Sequence, residues 1–197
     1  MSTLVQKPAP AFKAPAVMPD NSIRQDYTLE ESQGKYRAIL FYPYDFSFIC
    51  PTELLALHDQ LGEFKDRDCE VMAISVDSHF SHLAWKRTPV DSGGIGKVGF
   101  TLVSDLTREI SRGYGVLSDE SAALRGTFIL DRSGTVRHQS INDMELGRNI
   151  QEILRTLDGV RHFDETGETC PANWDGSKKG GEPPAGLAKR LQSFDLR

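Results

Sequence analysis

Apolar residues along this chain fall into short continuous runs. These alternate with stretches in which apolar positions recur every three or four residues. The first clear run is Ala38-Ile-Leu-Phe-Tyr42; it is continuous, aromatic and stopped by Pro43, which predicts a short buried strand. Beyond it, Leu54, Leu55, Leu57, Leu61 and Phe64 recur at spacings close to one helical face. Cys69-Glu-Val-Met-Ala-Ile-Ser-Val76, bounded by Asp68 and Asp77, predicts a second buried, parallel strand. Ser78 to Lys86 predicts a helix with Phe80, Leu83 and Ala84 inward, and Asp91 to Gly96 a loop. Phe100 to Val103 predicts a short strand, and Thr107 to Tyr114 a short helix closed by Gly115. Gly126 to Asp131 predicts a strand, turning through Arg132-Ser-Gly134 into a hairpin partner over Thr135 to Gln139. Gly147 to Val160 is amphipathic, with Ile150, Ile153, Leu154 and Leu157 on one face. Strands that alternate with helices, followed by a late hairpin, predict an α/β fold whose central mixed sheet is flanked by helices.

The two ends read differently. Residues 7–20 carry Pro8, Pro10, Pro15 and Pro19, which predicts an extended arm or edge strand. Asp20-Asn21-Ser22 is a turn signal, so Ile23 to Leu29 is expected to complete a hairpin. Thr28-Leu-Glu-Glu31 has the form of a capping box before a short helical turn that ends near Gly34. From residue 164 to 186 the chain becomes polar and rich in Gly and Lys, a shift that suits a mobile arm.

At 197 residues with 39% hydrophobic content, the chain suits one globular domain with an appendage. A net charge of −5 and the lack of a basic run interleaved with aromatics speak against nucleic acid as a partner. No apolar stretch reaches transmembrane length, so no membrane partner is expected. The N-terminus lacks the charged segment, apolar run and cleavage site of a signal peptide, which leads to the expectation of a cytoplasmic protein. Three widely spaced cysteines, Cys50, Cys69 and Cys170, do not suit a secreted disulfide framework, and there is no Cys-x-x-Cys pair. His58, His79, His82, His138 and His162 show no ligand spacing with Cys, so no metal is expected.

Cys50 is where chemistry enters. It falls between the predicted strand and the predicted helix, and Pro51 fits a first helical turn, where its missing N–H costs nothing. A helix start offers unpaired N–H groups and the positive end of the dipole, and both favour a thiolate, the reactive form. Ser47, three residues upstream, can offer its hydroxyl to that sulfur or to a substrate. Free Cys is also among the most buried residue types, so residue pattern alone leaves a small core hydrophobe and a nucleophile both open. Cys69, which opens a strand, is assigned to packing.

Pro43, Ser47 and Cys50 match the Pro-x-x-x-Thr/Ser-x-x-Cys motif of the peroxiredoxins. Phe46-Ser-Phe-Ile-Cys-Pro-Thr-Glu53 is very similar to the active-site segment of their typical two-cysteine branch, which includes the peroxide-reducing component of bacterial alkyl hydroperoxide reductase. The resemblance continues through Val76-Asp-Ser78, His82-Leu-Ala-Trp85, Gly93-Gly-Ile-Gly96, Arg125-Gly126 and Cys170-Pro-Ala-Asn-Trp174, in the expected order over nearly the whole chain.

The resemblance implies a thioredoxin-like peroxidase domain over residues 1–163 and a C-terminal arm over 164–197 that carries a resolving cysteine. It implies a thiol-dependent peroxidase acting on hydrogen peroxide and organic hydroperoxides without a cofactor. Cys50 becomes a sulfenic acid and condenses with Cys170 of a second protomer, and thioredoxin or a dedicated flavoprotein disulfide reductase reopens the disulfide. Arg125 occupies the place of the family's arginine beside the sulfur, and Arg148 that of a second, supporting one. Pro43 is expected to shield the site, and Glu53 to orient local hydrogen bonds rather than act as a general base. The resemblance also implies a homodimer assembling into a decamer, with Phe46, Ser78, Phe80 and Trp85 at the ring contacts. The Gly93-Gly-Ile-Gly96 segment is similar to one linked with over-oxidation in sensitive members, but the tail Leu191-Gln-Ser-Phe194-Asp-Leu-Arg197 lacks their tyrosine, so moderate resistance is expected.

Overall fold

The computed structural model describes residues 3–119 and 121–176. Its strands are β1 (Lys13–Val17), β2 (Ile23–Thr28), β3 (Tyr36–Phe41), β4 (Cys69–Ser75), β5 (Thr101–Ser104), β6 (Leu117–Ser118), β7 (Ala122–Ala123), β8 (Arg125–Leu130) and β9 (Val136–Asn142). Its helices are α1 (Cys50–Asp59), α2 (Leu61–Asp66), α3 (His79–Arg87), α4 (Glu109–Gly113) and α5 (Ile150–Thr166). Contacts divide the chain into two compact units, Met1–Gln151 and Glu152–Arg197.

The first unit is built on a seven-stranded mixed sheet in the order β2-β1-β5-β4-β3-β8-β9. The three central strands β5, β4 and β3 run parallel, and every other pairing is antiparallel. All six residues of β3 are buried, as expected of a strand covered on both faces. Its alternation sorts them. Ile39 and Phe41 join Met72 and Ile74 of β4, Val103 of β5 and Phe128 and Leu130 of β8 in one apolar cluster. Phe41, Tyr114 and Phe128 meet there with centroids 4.9 to 5.7 Å apart, two of the three pairs edge-on.

Gly126 lets that cluster close against β8. A Cβ at this position would lie 2.7 Å from Val116 Cγ1, 3.1 Å from the Phe128 ring and 3.5 Å from the Phe41 ring. Gly126→Ala is therefore expected to lower the unfolding free energy by about 1–3 kcal/mol through overpacking, read as a reduced urea midpoint at unchanged slope.

Three expectations are corrected in this unit. The proline-rich arm does not form an edge. β1 is enclosed, paired with β2 on one side and with β5 through Ala16 and Val17 on the other. Pro15 is accommodated because the register with β2 shifts between Ala14 and Ala16, at a bulge where its missing N–H breaks no ladder bond. The helical stretch after Cys50 is two helices separated at Gln60, which together bury Leu54, Leu57, Leu61 and Phe64 but leave Leu55 half-buried. In α3 the buried face is His82, Trp85 and Lys86 rather than Phe80, Leu83 and Ala84. The apolar count failed because the polar members of this face have partners: the Lys86 ammonium donates to the Met18 carbonyl at 2.7 Å, and both ring nitrogens of His82 are engaged.

The second unit contains most of α5 and the segment that follows it. Gly167, at φ +73°, closes the helix with its N–H bonded to the Phe163 carbonyl at 2.8 Å. Trp174 is buried, its ring 5.0 Å from that of His162. It also lies over Gly159, where a Cβ would stand 3.8 Å from Trp174 and 3.7 Å from Cys170 Sγ. The tail at 191–197, on which the expected resistance to over-oxidation rests, lies outside the described residues.

Candidate active site

Cys50 is the first residue of α1, with Pro51 in the first turn and no side-chain cap ahead of it. The chain reaches it from β3 through Tyr42 and the buried Pro43, then a loop in which Phe46 has φ +52°. The sulfur therefore sits at a helix N-terminus at the carboxyl end of a central strand, where backbone dipoles favour negative charge. The residue is fully buried.

Arg125 opens β8, next to β3 in the sheet, and this placement brings it to Cys50 across 75 residues of sequence. Its Nη1 donates to Cys50 Sγ at 3.3 Å and to Glu53 Oε2 at 2.7 Å, while Nε donates to the Met144 carbonyl at 2.6 Å. Glu53, one helical turn after Cys50, also receives Arg148. Oε1 accepts from the Arg148 backbone N–H at 2.8 Å and from Nε at 2.9 Å, and Oε2 accepts from Nη2 at 2.9 Å. A further Arg148 nitrogen donates to the Gly126 carbonyl at 2.9 Å. One buried carboxylate thus holds two buried guanidinium groups, all three side chains at 4% exposure or less.

The electrostatics follow from this clamp. Burial alone would raise the Glu53 carboxyl, but the hydrogen bonds and charge of Arg148, with Arg125 behind them, hold it below its ordinary value. Burial likewise works against the Arg125 cation, and its bond to Cys50 and the Glu53 charge overcome that and hold it above the ordinary value. The cation facing the sulfur is fixed in place and in charge.

Ser47 is half-buried and does not bond the sulfur; its hydroxyl donates to the Tyr44 carbonyl at 2.9 Å. With that hydrogen committed, the oxygen's lone pairs remain to accept. Phe46 and Phe80 stand 51% and 66% exposed. Ser78 is the N-cap of α3, its hydroxyl accepting from the Ser81 N–H at 3.2 Å. Trp85 is fully buried, with its indole N–H on the Gly93 carbonyl at 3.0 Å and its ring 5.9 Å from Phe46. It has no surface for a ring contact, and supports Phe46 from behind. Sequence reasoning missed Phe48, 94% exposed, and the Met144 carbonyl; no periodicity marks a carbonyl as a ligand for an arginine.

Cys170 lies in the second unit and is exposed, its thiol 3.5 Å from the Gly159 carbonyl. Partial desolvation pushes the thiol up from its ordinary value, and Arg155 only partly offsets this. Cys69 is buried at the start of β4, as assigned.

A thioredoxin-like sheet that presents one buried cysteine, without a Cys-x-x-Cys partner, to an arginine locked by a glutamate defines the peroxiredoxin class of thiol enzymes. Residues 5–139 match the AhpC/TSA family, and the chain belongs to it. It is 49% identical over 196 residues to alkyl hydroperoxide reductase C of Helicobacter pylori, covering 98% of this chain and 99% of that one. It is 50% identical over 171 residues to the human mitochondrial thioredoxin-dependent peroxide reductase, covering 86% of this chain and 66% of that one. The reduced 2-Cys peroxiredoxin of Plasmodium vivax superposes with a TM-score of 0.91 at 43% identity, covering 98% of this chain and all of that one.

Proposed function

We propose that the protein reduces hydrogen peroxide and organic hydroperoxides through Cys50, with Cys170 of a second protomer as the resolving thiol. The observation that carries this reading is the Arg125 guanidinium 3.3 Å from the Cys50 sulfur at the start of α1. A fixed cation and a helix terminus both stabilise negative charge on sulfur, and the thiolate is the nucleophile. The thiolate attacks one peroxide oxygen, an S–O bond forms as the O–O bond breaks, and the second oxygen leaves with the electron pair and takes a proton as water or an alcohol. Arg125 donates to the peroxide as charge develops on the leaving oxygen, an effect of preorganised donors. Ser47, its own hydrogen committed to Tyr44, accepts the peroxide O–H and orients it. Glu53 and Arg148 hold Arg125 in line, and Pro43 shields the sulfur.

Cys50 is left as a sulfenic acid. The Cys170 thiolate attacks its sulfur, hydroxide leaves as water, and a disulfide forms. A disulfide requires Cα atoms within about 7 Å, so the exposed Cys170 segment and the buried Cys50 meet after local unfolding. A dithiol reductant, thioredoxin or a dedicated flavoprotein reductase, then reopens the bond by exchange. The reducing environment this needs suits a cytoplasmic location. In the test, pre-reduced protein receives one equivalent of hydrogen peroxide, free thiols are counted, and a non-reducing gel is run. A covalent dimer with loss of thiols supports the cycle; unchanged thiols after minutes defeat it.

The assembly we propose is a dimer joined through the β9 edge of the sheet, five of which close into a ring. Phe46, Phe48 and Phe80, exposed at 51%, 94% and 66%, supply the apolar contact between dimers. Reduced protein at micromolar concentration is expected to sediment as a decamer, and Phe80→Asp to shift it to a dimer; a wild-type dimer under the same conditions removes the ring.

A further inference from the structure

Behind the loop that leads to Cys50 lies a buried polar chain that the reaction above does not use. It ties together the carboxyl ends of the three parallel strands. The Tyr42 hydroxyl, just past β3, donates to Asp45 Oδ1 at 2.8 Å. Asp45 Oδ2 lies 2.8 Å from His82 Nδ1, and His82 Nε2 lies 3.2 Å from the Val103 carbonyl in β5. The Asp45 backbone N–H donates to Asp77 Oδ2 at 2.8 Å, an oxygen that also accepts from Ser75 at the end of β4. Ser104 closes the chain by donating to the Asp77 carbonyl at 2.7 Å. The His82 and Asp45 side chains are 0% and 1% exposed.

The acceptors decide where the hydrogens lie. A carbonyl only accepts, so His82 Nε2 carries a hydrogen. Tyr42 already donates to Asp45 Oδ1. Asp45 and His82 are thus a hydrogen-bonded pair sealed from water, where every member depends on its partner.

Immediately after Asp45 comes Phe46 at φ +52°, a conformation that bulky residues rarely adopt. Such positions persist where their surroundings over-determine them, and they concentrate at functional sites. Asp45 is pinned at its N–H and at both carboxylate oxygens, and the Phe46 ring lies against Trp85. Four residues further on the chain delivers Cys50.

We propose that Asp45 and His82 are positioning residues for the peroxide-reducing cysteine: their pair holds the turn at Phe46 and so sets where Pro43, Ser47 and Cys50 stand. This rests on the peroxidase reading and adds a part to it. In the test, pre-reduced Asp45→Asn and Tyr42→Phe are mixed with hydrogen peroxide in a single turnover, alongside wild type. Trp85 emission is followed in a Trp174→Phe background, which leaves Trp85 as the sole tryptophan of the two.

Asparagine keeps an acceptor for Tyr42 but removes the carboxylate from His82. The rate constant for Cys50 oxidation is expected to fall about ten- to a hundredfold, the scale on which small misplacements act, with Trp85 emission shifted and the thermal midpoint kept within a few degrees. Tyr42→Phe removes one bond of the chain, gives a smaller fall in the same direction, and decides the matter where Asp45→Asn does not fold. Rates within twofold of wild type in the folded variants overturn the proposal, as does a fall that merely tracks a lowered thermal midpoint. Wild-type protein that loses no thiol to peroxide fails the peroxidase reading itself, so the control separates the two failures.

Discussion

Cys50→Ser is expected to lower the rate constant for peroxide reduction by on the order of 10³-fold or more, to the background of free thiols, while leaving the fold intact. The serine hydroxyl fills nearly the same buried space and still accepts from Arg125. It does not ionise near neutral pH, so the same guanidinium and helix terminus have no thiolate to stabilise. The loss is thus chemical rather than structural, and circular dichroism of the variant should superpose on that of the wild type. Cys170→Ser provides the contrast. It should permit one round of Cys50 oxidation and then stop, with no covalent dimer on a non-reducing gel and no further turnover with a dithiol reductant. Wild-type rates in Cys50→Ser return the residue to the core.

The second large effect is on stability. Glu53 is the only carboxylate bonded to both Arg125 and Arg148 among the described residues, and all three side chains are buried. Glu53→Ala leaves two guanidinium groups facing each other without a counter-charge. Removing one partner of a buried ion network costs about 3–5 kcal/mol, and that loss should appear in urea unfolding together with loss of activity, because Arg125 no longer has a fixed position. Glu53→Gln keeps the shape and should cost less. Its pH dependence has a definite sign. The folded carboxyl lies below its ordinary 4.5, so folding releases its proton in the interval between the lowered value and 4.5. The stability advantage of wild type over Glu53→Gln is therefore full above about pH 4.5 and shrinks as pH falls through the lowered folded value. An advantage that grows toward acid contradicts the clamp.

Legibility in the sequence followed the range of the interactions. β3, β4 and the β8–β9 hairpin were readable because continuous apolar runs and a Ser-Gly turn are local signals. Cys50 at a helix start was readable because Pro51 and the leucine spacing are local too. The buried face of α3 was not readable: His82 and Lys86 are buried only because Asp45, Val103 and Met18 reach them from 21 to 68 residues away. Pro15 suggested an edge, yet β1 lies inside the sheet because a bulge takes up the missing donor.

The site divides along the same line. By itself the sequence determined most element types and placed Cys50 at a helix start with Ser47 and Pro51 beside it; family resemblance, not the residue pattern, pointed to Cys50 as the nucleophile and to Pro43, Glu53 and the two arginines around it. Only the tertiary structure decided that one glutamate holds both arginines, that the Ser47 hydrogen is already used, and that Trp85 supports Phe46 from inside. It alone also joined Tyr42, Asp45 and His82 behind the cysteine loop. The reason is physical. Helix starts, turns and apolar periods are set by neighbours within a few residues, whereas the partner of a buried charge is whichever group the strand order brings beside it.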